Sequence, residues 1–341
     1  MTHAAYAVLG GGAIGGTLAY HLVRAGHPVT VIDADAEHVA AIQEHGLRLD
    51  RPGGSDAVPV HATTPEGFTG PLDRVLLAVK AQATAAAADW IAPRLAADGY
   101  VVSVQNGFNE PVLAERIGWP RTVAAFVNIF ADRTAPGVIA DGGAGALVVG
   151  EPGGGPVSER VRELARDLNA WGPARVSDNV EGFLWAKAGF GAMLAATALA
   201  DDAMADLIDR HPATMCALTE EVFDVAEALD VRLEPFDAFA PNAFARGADP
   251  AERAAAIAGL TGWLRTQPKN RSGIWRDLAV RRRAVEVTTH YATVLEEADR
   301  VGVGVPVLRA LLDMLRELEA DPDSMSEHRI AELGGLVRSQ A

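Results

Sequence analysis

The stretch that decides the fold is Tyr6–Gly16, YAVLGGGAIGG, in which a short apolar run leads directly into a glycine-rich loop and then into a helical pattern. The loop contains GxGxxG as Gly10, Gly12 and Gly15, at the start of a predicted strand–helix–strand unit. Gly10 permits a tight turn, Gly12 lets the backbone approach a pyrophosphate, and Gly15 lets the helix pack closely on the strand. This context favours a dinucleotide-binding loop over a glycine turn without a ligand.

The beginning of the helix and the end of the next strand complete the predicted cofactor site. Ala13 and Ile14 open the helix, where free N–H groups and a partial positive charge suit phosphates. Asp33 ends the second strand, where an acidic side chain accepts hydrogen bonds from the adenosine ribose. No arginine or lysine follows closely, and Asp35 can cap the next helix, which leaves Asp33 for the ribose. The sequence therefore favours NAD, with NADP as the alternative.

Outward from this loop, the first half of the chain alternates β-rich and helical patterns. Continuous apolar runs such as Arg74–Val79 are typical of strands buried in a parallel sheet. We predict a Rossmann-type, doubly wound α/β domain over 1–178. The predicted strands cover 6–9, 28–32, 74–79, 100–104, 122–127 and 174–176, with helices over 13–25, 36–45, 81–97 and 157–169. Between Pro136 and Gly155, two brief apolar runs (138–140 and 146–149) predict a pair of edge strands joined by a glycine-rich turn.

After residue 178 the strand signals nearly vanish, and we predict an all-helical substrate and dimerisation domain over 179–335. The apolar helical faces favour a homodimer. The predicted helices cover 180–200, 204–229, 251–264, 276–301 and 307–319, with a connecting loop at 235–250.

Composition excludes several classes of protein. The chain has 341 residues, is 49% hydrophobic and carries a net charge of 30 − 45 = −15. This negative charge argues against binding to nucleic acids and against binding to an anionic membrane surface. The single cysteine, Cys216, excludes an internal disulfide and a CxxC metal site, and no other metal-ligand pattern occurs. Without a recognisable leader or membrane span, we expect a cytoplasmic protein with a small-molecule substrate.

Two polar segments follow predicted strands. Lys80 follows the strand RVLLAV, and Gln105-Asn106-Gly107 follows the next buried strand. The carboxyl ends of strands in an open α/β sheet border the ligand crevice, so we expect Lys80 and Asn106 to lie near a cofactor or substrate.

Taken together, the motifs resemble those of the ketopantoate reductase (2-dehydropantoate 2-reductase) family, in the same order along nearly the whole chain. The similar segments are GGGAIGG at the N-terminus, Val79-Lys80-Ala81, Gln105-Asn106-Gly107, Pro136-Gly137-Val138-Ile139, Trp185-Ala186-Lys187, and Ser272–Asp277 followed by Glu286. The resemblance implies an N-terminal Rossmann domain, a helical C-terminal domain and a cleft between them.

The resemblance also implies roles for individual residues. Lys187 would be the general acid that protonates a carbonyl oxygen as hydride arrives from nicotinamide. Asn106 would contact cofactor and substrate and hold the Lys187 region in place. Glu286 would accept hydrogen bonds from the substrate hydroxyl or from Lys187, and Lys80 would sit near the cofactor. The implied activity is NAD(P)-dependent reduction of a small 2-oxo acid, 2-dehydropantoate or a related acid, or the reverse oxidation.

The chain departs from the family pattern at three polar positions. Gly191 and Ala195 replace two asparagines, and Gly273 replaces the second serine of the family's serine-rich segment. Losing these donors weakens binding of pantoate, at roughly 0.5–1.5 kcal/mol per hydrogen bond, and removes volume. The departures therefore favour a different or more apolar acid. Two alternatives stay open: a dehydrogenase of an imine or a 3-hydroxy acid, and a non-catalytic dinucleotide sensor.

A basic run offers replacement substrate contacts beside Ser272. It comprises Arg271, Arg276, Arg281, Arg282 and Arg283. An arginine fork suits a carboxylate or phosphate, and we single out Arg276 and Arg271 for that role. Ion pairing with nearby acids is the expected state of most of the five. His290 shares a helical face with Glu286, but packing is a more frequent role for such a histidine than proton transfer.

Overall fold

A computed structural model describes residues 5–143, 145–267 and 269–340, of which 338–340 are described by their backbone alone. The chain divides into two compact units, Met1–Val180 and Glu181–Ala341. The first unit contains every named strand of the described residues, and the second is helical. The predicted fold class, an α/β sheet domain followed by a helical C-terminal region, is confirmed.

In its described residues, the first unit contains twelve strands and five α-helices. The strands are β1 (Tyr6–Leu9), β2 (Val29–Ile32), β3 (Leu47–Arg51), β4 (Gly54–Val58), β5 (His61–Thr63), β6 (Leu72–Leu77), β7 (Leu95–Ser103), β8 (Thr122–Asn128), β9 (Ala131–Ala135), β10 (Val138–Asp141), β11 (Ala146–Gly150) and β12 (Ala174–Val176). The helices are α1 (Ala13–Arg24), α2 (Ala36–His45), α3 (Thr84–Ile91), α4 (Glu110–Ile117) and α5 (Glu159–Leu168).

Eight of these strands form the main sheet, in the order β12-β11-β8-β7-β6-β1-β2-β5. All neighbours are parallel except β8 and β11. From β1 the chain first adds strands on the β2 side and then returns to add β6, β7 and β8 on the other. The point of reversal lies between β1 and β6, where ligands bind in open α/β sheets. All four residues of β1 are buried, as expected for a strand covered on both faces.

A second sheet, in the order β4-β3-β10-β9, was not predicted. It corrects the prediction for 136–155: the runs over 138–140 and 146–149 are not a pair of edge strands. β10 joins β3 and β9 in the small sheet, whereas β11 joins β8 and β12 in the main sheet. The predicted helix over 81–97 is also too long: α3 ends at Ile91, a 3-10 turn with Pro93 follows over Ala92–Arg94, and β7 begins at Leu95.

The second unit contains nine helices in its described residues. They are α6 (Val180–Thr197), α7 (Met204–Arg210), α8 (Pro212–Ala228), α9 (Pro250–Thr266), α10 (Gly273–Trp275), α11 (Val287–His290), α12 (Ala292–Val301), α13 (Pro306–Ala320) and α14 (Glu327–Gln340). Two predicted helices are wrong as continuous elements. Pro212 begins a new helix inside 204–229, and the segment 276–301 is a π-turn followed by two short helices. None of the helices in the described ranges has the length and apolarity needed to cross a membrane.

Helix α6, which carries Lys187, packs tightly against α8. A Cβ atom on Gly189 would overlap with the Phe223 ring, so only glycine allows this approach. Thr219 Oγ1 donates to the Gly189 carbonyl at 3.2 Å. Phe223 also belongs to an aromatic cluster with Phe190, Phe236, Phe239 and Phe244, in which the last two rings stack with centroids 4.9 Å apart. The predicted loop over 235–250 is thus anchored in the core rather than loose on the surface.

Candidate active site

The glycine loop lies between β1 and α1, at the point where the sheet order reverses. Gly10 has φ +96°, and a Cβ there would lie 2.8 Å from the backbone of Ala78 and Val79. At Gly15 a Cβ would overlap with the Gly10 carbonyl oxygen. At Gly12, by contrast, a Cβ would meet no atom within 4 Å. Gly10 and Gly15 are therefore required by the fold, whereas Gly12 borders open space that suits a phosphate.

The N-terminus of α1 beside this space carries no competing anion. Gly12 caps the helix without a side-chain hydrogen bond, and the first turn, which begins with Ala13 and Ile14, contains no acidic residue. The N–H groups of a helix N-terminus and its partial positive charge attract phosphate. Loop and helix together fit the pyrophosphate of a dinucleotide.

Asp33 lies beside the loop, but the structure corrects the idea that its carboxylate is left for the ribose alone. Its Oδ2 accepts a hydrogen bond from Gly11 N at 2.7 Å, and its Oδ1 accepts from Asp35 N at 2.9 Å. Each carboxylate oxygen has a second acceptor site, so Asp33 can still bind hydroxyl groups. The residue thus orders the glycine loop and presents acceptors at its edge.

Asp35 caps α2 as predicted, because its Oδ1 accepts from Glu37 N at 3.1 Å and from His38 N at 3.2 Å. Its other oxygen, Oδ2, accepts from Arg133 Nη1 at 2.7 Å. Arg133 lies on β9 of the small sheet. A cation is therefore present at this edge of the loop, although none follows Asp33 closely in sequence.

His38 supports the glycine loop from the protein interior. The side chain is fully buried, and its Nδ1 accepts a hydrogen bond from Gly137 N at 2.9 Å. Since Nδ1 is the acceptor, a neutral ring carries its proton on Nε2, which lies 2.8 Å from the Gly11 carbonyl oxygen. His38 thereby joins the loop to the turn between β9 and β10. Sequence reasoning missed this role, because Gly137 is 99 residues away.

The loops after β6 and β7 are joined by a buried amide network. Gln105 Nε2 donates to the Val79 carbonyl and to Thr84 Oγ1, both at 2.8 Å. Thr84 Oγ1 donates to Asn109 Oδ1 at 3.1 Å, and Asn109 Nδ2 donates to the Asn106 carbonyl at 2.8 Å. The structure therefore brings the Val79–Ala81 and Gln105–Gly107 segments together. Gln105, Thr84 and Asn109 hold the backbone, and Lys80 and Asn106 are exposed at the surface of the unit.

In the second unit, Lys187 is half-buried on α6. Burial lowers its pKa to about 8, because removal from water disfavours the charged ammonium, while the Asp237 carboxylate acts in the opposite direction. Asp237 has φ +46° in the turn closed by the backbone bonds between Phe236 and Phe239. Sequence analysis missed Asp237, because it lies 50 residues beyond Lys187 (237 − 187) in a segment without a motif. A lysine with this pKa can both give and take a proton near neutrality.

Tyr291 fills the space beside Gly191. A Cβ on Gly191 would lie 3.0 Å from the Tyr291 hydroxyl, which donates to the Ala188 carbonyl oxygen at 2.6 Å. Burial raises the pKa of Tyr291, so the hydroxyl stays protonated as a donor. The loss of volume expected at Gly191 is thus offset by a tyrosine from another part of the chain. Ala195 is buried in the core, whereas a Cβ on Gly273 would meet open space.

Removing the Tyr291 hydroxyl measures how much its hydrogen bond to the Ala188 carbonyl stabilises α6. We expect Tyr291→Phe to lower the free energy of unfolding by about 0.5–1.5 kcal/mol, the typical value of one hydrogen bond. Urea unfolding followed by circular dichroism measures this change. Tyr100→Phe is the matched control, because the Tyr100 hydroxyl is buried without a hydrogen-bond partner among the described residues. A loss at Tyr291 no larger than at Tyr100 would contradict the supporting role.

Ser272 and Arg276 lie at a short helix that continues into a π-turn. Ser272 Oγ accepts from Trp275 N at 3.1 Å and caps α10. The π-turn spans Arg276–Val280 and is closed by Arg281 N donating to the Arg276 carbonyl at 2.9 Å. Such turns occur often at functional sites. Ser272 therefore has a structural role whether or not it contacts substrate, and Arg276 is half-buried at the start of the turn.

Arginines of the basic run pair with acids, as the sequence leads us to expect of most of the five. Arg281 and Arg283 both pair with Asp277, at 3.0 and 2.8 Å. Arg271 Nε lies 3.3 Å from Asp201, and Arg282 pairs with Asp323 at 2.7 Å. Arg271, one of the two arginines predicted to bind a substrate anion, is thus paired with a carboxylate of the chain itself.

Glu286 and His290 lie one helical turn apart, as predicted, with Glu286 Oε1 and His290 Nε2 4.0 Å from each other. Both side chains are largely buried. Within the described ranges, no cluster of three or more histidine, cysteine, aspartate or glutamate side chains could hold a metal ion.

Comparison with known families agrees with this arrangement. Residues 6–154 match the family model described as "Ketopantoate reductase PanE/ApbA", and residues 179–319 match the model of its C-terminal domain. The chain belongs to the ketopantoate reductase family. The predicted family is therefore confirmed, as is the prediction of an oxidoreductase acting on CH–OH groups.

Individual relatives extend over nearly the whole chain. A 2-dehydropantoate 2-reductase of Halobacterium salinarum is 29% identical over 319 residues, which cover 92% of this chain and 98% of the relative. The crystal structure of a PanE/ApbA family ketopantoate reductase from Ralstonia eutropha JMP134 is 30% identical, with a TM-score of 0.77, covering 93% of this chain and 98% of that one. A D-mandelate dehydrogenase solved with NADH and anilino(oxo)acetate has a TM-score of 0.78 with the same coverage, but at 21% identity the similarity concerns the fold alone.

Proposed function

We propose that this ketopantoate reductase family member transfers hydride between a nicotinamide dinucleotide and a small 2-oxo acid, 2-dehydropantoate or a related acid. The observation that carries the proposal is Lys187, whose pKa burial lowers to about 8, in the segment that resembles the family's catalytic WxK. A homodimer stays part of the proposal, on the apolar faces of the helical unit.

The residues of the first unit fit the dinucleotide. Gly12 leaves room for the pyrophosphate at the N-terminus of α1, and Asp33 offers acceptors for ribose hydroxyls. The cofactor, when bound, supplies or accepts the hydride. Asp33 favours NAD, because a carboxylate repels the extra phosphate of NADP. Lys80 and Asn106, exposed at the ends of the neighbouring loops, are the proposed further contacts.

The residues of the second unit supply the proton. In the reduction, Lys187 donates a proton to the carbonyl oxygen, and its charge stabilises the alkoxide that develops there. Glu286 accepts hydrogen bonds from the substrate hydroxyl or from the lysine, and Arg276 and Ser272 bind the substrate carboxylate. Since Tyr291 occupies the place beside Gly191, we propose an acid that does not rely on a family asparagine there.

The pKa of Lys187 sets the pH dependence of both directions. The protonated form is needed for the reduction, so kcat is expected to be constant below pH 8 and to fall above it, by about tenfold per unit. The oxidation needs the neutral amine, so its kcat should rise up to the same pH and then level off. Initial rates at saturating cofactor and substrate, measured in both directions, test this. A break near the ordinary pKa of lysine would contradict the role of burial.

The proposed activity is tested by following NADH and NADPH oxidation by absorbance, with 2-dehydropantoate and a panel of other 2-oxo acids, imines and 3-oxo acids. We expect turnover of at least one 2-oxo acid. Turnover of imines or 3-oxo acids alone would replace the proposed substrate class. Binding of NADH without turnover of any substrate would favour a dinucleotide sensor, and a preference for NADPH would contradict the interpretation of Asp33.

A further inference from the structure

A charged pair lies at the edge of the proposed ribose site. Arg133 Nη1 donates to Asp35 Oδ2 at 2.7 Å, and the amide of Asp35 donates to Asp33 Oδ1 at 2.9 Å. Asp35 therefore links the Arg133 guanidinium to the Asp33 carboxylate, which is proposed to bind the ribose. Arg133 and Asp35 are about equally exposed, with 39% and 38% of their side chains accessible to solvent. A ligand arriving at this edge can reach both.

The two cofactors differ at this position, because NADP carries a phosphate on the adenosine ribose where NAD carries a hydroxyl. An arginine fork is well suited to bind a phosphate. Here Asp35 accepts a hydrogen bond from one nitrogen of that fork, Nη1, and adds a negative charge that repels a second anion. Arg133 in turn lowers the pKa of Asp35, so the carboxylate stays ionised at neutral pH. An exposed pair of this kind contributes little to stability, so it can be opened without unfolding the protein.

We propose that the Asp35–Arg133 pair determines the cofactor choice of this chain, by withholding a phosphate-binding arginine from the 2′-phosphate of NADP. This inference rests on the proposed function, since it requires a dinucleotide at the glycine loop. The proposal assigns the selection between NAD and NADP to Asp35 and Arg133, which are 98 positions apart, in addition to Asp33. Asp33 itself is a poor target for a test, because its carboxylate holds the amide of Gly11.

The test uses Asp35→Asn in the full chain. Asparagine caps a helix as well as aspartate does, and its Oδ1 can keep the bonds to Glu37 N and His38 N. The uncharged amide no longer binds or neutralises Arg133. We expect the Kd of NADPH and of 2′,5′-ADP to fall by about tenfold, the value of one charge-assisted hydrogen bond. The Kd of NADH and of 5′-AMP should change by less than about twofold. Calorimetry gives the nucleotide affinities, and fluorescence titration gives those of the dinucleotides.

The double variant Asp35→Asn/Arg133→Gln is the matched control. It should lose the gain in NADPH and 2′,5′-ADP affinity while NADH binding persists. A gain that survives in the double variant would overturn the role of Arg133, and so would an Asp35→Asn protein that binds NADH normally and shows no gain. Wild-type protein that binds none of the four ligands would instead overturn the proposed function. Thermal unfolding of each variant distinguishes altered binding from altered folding.

Discussion

Lys187→Met is expected to lower kcat for the reduction by about a thousandfold, within the range that general acid–base catalysis contributes. NADH affinity should be unchanged, because the cofactor residues belong to the first unit. The protein should be no less stable than wild type, since burial disfavours the lysine charge. Single-turnover and steady-state rates measure the first effect, and calorimetric titration with thermal unfolding measures the others. Lys269→Met, which removes a lysine of the same unit from the loop after α9, is the matched control.

Lys187→Arg separates the two roles assigned to this side chain. Arginine keeps the positive charge but does not deprotonate in proteins. If proton donation dominates, the arginine variant should be nearly as slow as the methionine variant, and its rate should lose the break near pH 8. An arginine variant that keeps most of the activity would show that charge, not proton transfer, is the contribution of this position. Activity of Lys187→Met within tenfold of wild type would contradict both roles.

Gly12→Ala is expected to raise the Kd of NADH by about ten- to a hundredfold while leaving the fold intact. A methyl group at Gly12 meets no atom within 4 Å in the protein, so it should not disturb the loop. It would occupy the space in which the pyrophosphate is proposed to lie, and forcing a group into filled space costs ~1–3 kcal/mol. Fluorescence titration with NADH and urea unfolding check the two halves of the prediction.

Substitutions at two other glycines serve as controls for Gly12→Ala. At Gly262 of α9 an added Cβ would also meet nothing, so Gly262→Ala should leave NADH affinity unchanged and slightly raise stability. At Gly15 an added Cβ would overlap with the Gly10 carbonyl, so Gly15→Ala should lose both folding of the loop and binding. Unchanged NADH affinity in Gly12→Ala would mean that the open space beside Gly12 is not the pyrophosphate site.

The sequence was most informative where one residue type meets a local backbone requirement. The positive φ of Gly10 and the close packing at Gly15 leave no other choice, so GxGxxG predicts its own loop. Asp35 likewise caps α2 through neighbours two and three residues away, which sequence spacing shows directly. The strand–helix alternation and the helical second half followed from periodicity of the same local kind.

The sequence was least informative where distant segments meet. Nothing in the neighbourhood of Asp33 indicates that Arg133 approaches from the small sheet, and nothing near Gly191 indicates that Tyr291 fills the gap. The predicted helix over 276–301 failed for a related reason. Its apolar spacing is helical, but Asp277 forms ion pairs with Arg281 and Arg283. Arg282 between them adopts φ +48°, and this left-handed conformation ends the helix.

The histidine beneath the glycine loop has a consequence for how the first unit opens. The imidazole ring of His38 is hydrogen-bonded to the Gly11 carbonyl on one side and to the Gly137 amide on the other, and it is fully buried. Because the same buried ring bonds to both segments, we expect loop and turn to unfold locally as one cooperative element. In native-state hydrogen exchange, the amide of Gly137 would then report on the phosphate loop. Its protection should increase when a dinucleotide binds, although that amide donates to the histidine and not to the phosphate loop itself.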